Sequence, residues 1–124
     1  MKNKLLGLLT VLVAFGISGV AVADTVVEVW QCTLNDEKTT DDVQEQNSKW
    51  LALVHANVSE DIASNVLTSI VGDSTGFSFV DIYPDLATWE KTKTYLRDNE
   101  EVEDLFEEVS ECSKNSLHNS EPTE

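Results

Sequence analysis

The chain has 124 residues, of which 23 are acidic and eight basic, giving a formal net charge of −15 at pH 7. Nucleic acid rewards clustered Lys and Arg through counterion release, and an anionic bilayer repels an acidic surface, so neither is an expected partner. Acidity on this scale ordinarily serves solubility, and the length allows one small domain with one core.

The first element read along the chain is a leader. Lys2 and Lys4 form a positive start, Leu5 to Val20 an apolar run, and Ala21-Val22-Ala23 an A-x-A site before Asp24. This order is that of a secretory signal peptide over residues 1–23, and no Cys follows the site to take a lipid anchor. Gly7, Gly16, Ser18 and Gly19 weaken the run as a retained membrane span. Removal of 23 of the 124 residues leaves 101, and loss of Lys2 and Lys4 takes the net charge from −15 to −17. The expected location is the periplasm or the exterior, with no membrane association after the leader is gone.

Thr25 to Leu34 is Val-rich and free of Gly and Pro, which predicts a first strand, broken by Asn35-Asp36-Glu37-Lys38. Thr39 with Asp42 three residues later is a helix-capping pattern. Behind it Val43, Asn47, Trp50, Leu51 and Val54 recur at helical spacing, so residues 40–56 read as an amphipathic helix. Asn65 to Val71 and Phe77 to Tyr83 are two further strands around a connector with two glycines, the pattern of an antiparallel hairpin. In the second of them Phe77, Phe79, Asp81 and Tyr83 share one face while Val80 and Ile82 share the other, so both faces call for cover. Asp85 then caps a helix with Leu86, Trp89 and Leu96 inward, and a capping pattern at Asp98 opens a shorter helix carrying Val102, Leu105, Phe106 and Val109. The Glu-rich outer face of that helix reads as solvated. Ser110 to Leu117 has room for a short last strand. The domain is placed at 24–117, with 118–124 as a disordered tail.

Cys32 and Cys112 are the only cysteines, 80 positions apart in a chain bound for an oxidising compartment. A structural disulfide is the economical reading, with two free thiols or an intermolecular link as the alternatives.

Strand, helix, strand, strand, helix, strand over residues 25–117 is the ferredoxin-like α+β order, with an antiparallel sheet and helices on one face. The stretches VVEVWQCTL, VLTSIVGDSTGFSFVDIYP and DLATWEKTKTYL sharpen this pattern. Together they resemble the dimeric α+β barrel superfamily, which includes antibiotic-biosynthesis-type monooxygenases and stress-responsive barrel proteins. The resemblance implies a homodimer in which two sheets meet face to face, covering the second sheet face. It also makes the first and last strands neighbours, which brings Cys32 beside Cys112 and supports pairing them.

No catalytic string accompanies the pattern. A G-x-S-x-G elbow is absent; of the histidines that follow the leader, His55 lies near the end of the first helix and His118 in a tail unsuited to a general base, and both cysteines are better placed in a disulfide. No metal site is expected, because His55 has no ligand at helical spacing, and phosphate cradles and dinucleotide fingerprints are absent too. No cofactor is expected. The haem-degrading branch of the superfamily holds haem through a helical His, which the helix after Asp85 lacks. What is left is a pocket for a small organic ligand between sheet and helices, with Gln31, Asn47, Trp50 and Asp81 as candidates. The primary expectation is a non-catalytic dimer that binds a ligand or a protein or serves a structural role. The alternative is a cofactor-independent monooxygenase or isomerase acting on a small aromatic substrate, an activity the resemblance implies.

Overall fold

A computed structural model describes residues 24–72 and 76–124. The leader lies outside the described residues, as does part of the hairpin connector. Seven elements follow in order: β1 (Thr25–Leu34), α1 (Thr40–Asn57), β2 (Ala63–Thr68), β3 (Gly76–Tyr83), α2 (Leu86–Arg97), α3 (Glu100–Glu107) and β4 (Ser110–Ser120). The strands make one antiparallel sheet in the order β2-β3-β1-β4, with the helices over one face.

Local chemistry sets the boundaries. Asn35 to Lys38 turns the chain, with Glu37 in the left-handed region at φ 64°. Thr39 and Asp42 then form a complete capping box, the Thr39 amide donating to Asp42 Oδ2 at 2.8 Å. The Asp85 carboxylate accepts from the Thr88 amide at 2.7 Å and starts α2 directly after Pro84. Asn99, not Asp98, occupies the cap of α3, and its side chain makes no capping bond there.

Strand alternation sends Val26, Glu28, Trp30 and Cys32 of β1 and Phe77, Phe79, Asp81 and Tyr83 of β3 toward the helices. There they build two apolar clusters. One joins Val26 and Tyr83 to Trp50, Val54, Ile62 and Val102, and the other joins Cys32, Phe77 and Phe79 to Val43 and Val109. Phe106 packs against both, its ring edge-on to Phe79 at 5.4 Å. Between the clusters lies a polar group, Glu28 and Asp81 with Lys93, on which the candidate site is built.

Three expectations are corrected. β2 begins at Ala63 and ends at Thr68, opposite Phe77, so Ile70 and Val71 fall in the connector at 99% and 91% exposure. Their β-branched chemistry extended the apparent strand, but among the described residues the β2–β3 ladder ends at Thr68 opposite Phe77. Leu86 is half exposed because it stands at the first turn of α2, where the inward positions begin only later. The last strand continues through His118 to Ser120, three residues into the segment assigned to a disordered tail, because Thr25, Val26 and Val27 of β1 pair with it to the end.

Cys32 and Cys112 form a disulfide, opposite one another in the β1–β4 ladder. The register shifts immediately beyond them: Gln31 faces Lys114, leaving Ser113 as the extra residue of a β-bulge.

Candidate functional site

The polar group starts from two carboxylates placed directly opposite each other, Glu28 on β1 and Asp81 on β3, both facing the helices. Burying two acids side by side is costly unless each is compensated. Glu28 is 1% exposed and is compensated in full, for Lys93 of α2 donates to its Oε1 at 2.5 Å and Asn115 of β4 to its Oε2 at 3.1 Å. The Lys93 ammonium also lies over the rings of Trp30 and Trp89, 5.2 and 5.8 Å from their centroids, a cation–π arrangement that orients it toward the sheet.

Asp81 is treated differently. It is 6% exposed, and among the described residues only its Oδ1 is hydrogen-bonded, accepting from Ser64 Oγ at 2.6 Å. Asn47 of α1 donates in turn to Ser64 Oγ at 2.9 Å, so a relay runs from helix to strand to carboxylate. Burial pushes the Asp81 carboxyl up from 3.8 to about 6; the Ser64 hydrogen bond pulls it back, the Glu28 charge raises it further and Lys93 lowers it. Tyr83, two residues on, is fully buried, and burial with the charges of Asp81 and Glu28 holds its phenol well above the ordinary range.

This group forms one end of a cavity of about 820 Å³ between the sheet and the helices. Trp30, Trp50, Phe79 and Phe106 supply its apolar walls, Asn47, Asp81 and Lys93 its inner polar atoms, and Arg97 with the glutamates of α3 its mouth. The volume is in the range of small-molecule sites, which pair apolar walls with a few convergent polar groups.

Three of the four candidates from the sequence, Asn47, Trp50 and Asp81, line this cavity together. Gln31 does not. It is exposed on the opposite, helix-free face of the sheet, since it shares strand parity with Val27 and Val29 and not with Trp30 and Cys32. The residue that parity selects is Glu28, an acid between valines on the inward side of β1, and sequence reasoning passed over it. Ser64 and Lys93 were missed as well, and neither carries a signal beyond being polar on a half-buried element. His55 is explained by structure: its Nε2 donates to the Ile62 carbonyl at 2.6 Å, tying the end of α1 to the start of β2.

Comparison by sequence finds no matching family model and no matching curated protein. Comparison by structure does find similar folds. SnoaB, a cofactor-independent oxygenase from Streptomyces nogalater, superposes with a TM-score of 0.62 at 11% identity, covering 82% of this chain and 97% of that one. PA3566 from Pseudomonas aeruginosa superposes at 0.50 and 11% identity, over 83% and 98% of the two chains. A protein of unknown function and ferredoxin-like fold from Bacteroides fragilis, described as dimeric, gives 0.46 at 15% identity, over 78% and 95%. The chain shares with SnoaB the ferredoxin-like α+β fold that its sequence pattern implies.

Proposed function

We propose that this is an exported protein that binds a small organic ligand in the cavity between sheet and helices and works as a homodimer. One observation carries the reading: an 820 Å³ space walled by Trp30, Trp50, Phe79 and Phe106 that holds a buried carboxylate positioned by its own relay, Asn47 to Ser64 to Asp81. A core of packing alone has no use for a buried, singly hydrogen-bonded acid. Export is supported by the Cys32–Cys112 disulfide, which belongs in an oxidising compartment, and by the leader pattern, cleavage of which after Ala23 an intact-mass measurement would register. Among the described residues no helix is long and apolar enough to cross a membrane.

Dimerisation is supported by the helix-free face. Val27, Val29, Val80 and Ile82 form its centre and Leu67, 54% exposed, extends it toward the β2 edge. A two-fold sheet-to-sheet contact buries such a patch. A chain of net charge −17 after leader removal associates more tightly as salt rises. Native mass spectrometry of protein purified from its own periplasm tests both parts. The expected species is a dimer that retains a small-molecule mass, and a ligand-free monomer at every salt concentration contradicts the reading.

A second reading has its own support. A carboxyl held at about 6 against aromatic walls suits a general base near neutral pH, able to take the proton of a phenol and leave an electron-rich anion. The same fold in SnoaB houses a cofactor-independent oxygenase. Oxygen uptake with a panel of phenols and no added cofactor, abolished by Asp81→Asn, distinguishes catalysis from binding.

A further inference from the structure

The charges around the cavity are lopsided. Five acids line it, Asp81, Glu100, Glu103, Glu107 and Glu111, against two bases, Lys93 and Arg97. Lys93 is moreover committed to Glu28, which lies behind the wall and adds no charge to the lining. The field inside is therefore negative, and low-dielectric aromatic walls focus it inward. At the inner end, 6% exposed, the Asp81 carboxylate has one oxygen engaged by Ser64, with no hydrogen bond at Oδ2 among the described residues. Beside it Lys93 already shows what this floor stabilises, an ammonium over two indole faces, and Trp50, Phe79 and Phe106 offer further π surface along the cavity.

We propose that the pocket selects organic cations: amines bearing an aromatic or branched aliphatic group, with the ammonium at Asp81 and the apolar body against Trp50, Phe79 and Phe106. This rests on the reading of the cavity as a small-molecule site and adds the charge class of the ligand. Anionic ligands meet repulsion at the glutamates of α3 and again at Asp81. Neutral ones leave the Asp81 charge buried without a counterpart.

Three probes of matched shape separate the possibilities: 2-phenylethylamine, 2-phenylethanol and 3-phenylpropionate, titrated calorimetrically at pH 8 and low salt into the full disulfide-bonded protein. The amine is expected to bind about tenfold more tightly than the alcohol, the increment of a charge-assisted hydrogen bond, with the carboxylate weakest. Asp81→Asn should remove the difference between amine and alcohol. The double variant E103Q/E107Q, at exposed positions that do not threaten folding, should weaken the amine less and flatten its salt dependence. Equal binding of amine and alcohol, or amine binding indifferent to Asp81→Asn, overturns cation selectivity and leaves the small-molecule reading standing. Failure of all three probes to bind overturns both.

Discussion

Replacement of Lys93 by Met should be the most damaging change at the site, and out of proportion to the contacts it removes. The Lys93 side chain keeps 25% of its exposure, whereas that of Glu28 has 1%. Deleting the lysine therefore strands a carboxylate with only the Asn115 amide for company, whereas deleting the carboxylate by Glu28→Gln leaves an ammonium that can turn to solvent and still cover Trp30. With Nζ and Oε1 2.5 Å apart, the charge centres lie at roughly 4 Å, where the attraction is about 4 kcal/mol at an effective dielectric of about 20. Breaking a buried pair from one side costs about 3–5 kcal/mol. The expected losses are about 3–5 kcal/mol for Lys93→Met and about 1–2 kcal/mol for Glu28→Gln. The double variant should be less damaged than Lys93→Met alone, because the uncompensated charge has gone with its partner. Urea unfolding followed by far-ultraviolet circular dichroism, at one protein concentration and with the disulfide intact, yields all four free energies. A loss below about 1 kcal/mol for Lys93→Met, or a double variant worse than either single one, would show that Glu28 is not held by this ion pair.

The carboxyl of Asp81 binds its proton more tightly in the folded chain, so its contribution to stability is fully present below about pH 4 and is lost as pH rises through about 6. A rise from 3.8 to about 6 corresponds to at most about 3 kcal/mol, so the stability of Asp81→Asn relative to the parent should increase by up to that amount between pH 4 and 7.5 in paired urea titrations; a constant difference refutes the shift. Cys112→Ser should lower stability by about 2–5 kcal/mol under oxidising conditions and change nothing in excess reductant, as denaturant midpoints with and without dithiothreitol would show. Thr39→Ala removes half of the capping box on α1 and should cost about 1 kcal/mol, read from thermal unfolding, with the native spectrum retained.

The fold was legible in the chain wherever burial imposes a period. Phe77, Phe79, Asp81 and Tyr83 alternate with half-buried neighbours, Val43 to Val54 repeats at helical spacing, and Thr39 and Asp85 mark helix starts with chemistry that works within one turn. The site was legible only in part, and for a reason that the same residues show. Asn47, Trp50 and Asp81 stand out because they interrupt or occupy an apolar stripe, while Gln31 stands out in the same way on the wrong face. Glu28 and Lys93 become a pair only when elements 65 residues apart are packed together, and no local rule connects them. The last strand was the least legible. Ser110 is buried, but every residue from Glu111 to Ser120 is exposed, so β4 has no hydrophobic alternation to read.

That absence has a consequence for how β4 finds its place. An apolar face normally makes a one-residue slip prohibitive, since sliding turns the greasy side outward. A strand as polar as ECSKNSLHNS incurs no such penalty, and its ladder partners are nearly interchangeable. Here the cystine acts as an index pin: with Cys112 fastened to Cys32, the extra Ser113 sets which side chains beyond it turn inward, and Asn115 comes under Glu28 as a result. Were Ser113 instead to take a regular ladder place opposite Gln31, Lys114 and Ser116 would occupy the inward positions. Reduce the bond and β4 is free to slide or peel away, baring the hydrogen-bonding edge of β1 to any other strand that meets it. Covalent chemistry at one point thus does for this edge what hydrophobic patterning does for the rest of the sheet, and it ties correct alignment of the chain to the oxidising conditions under which that bond is stable.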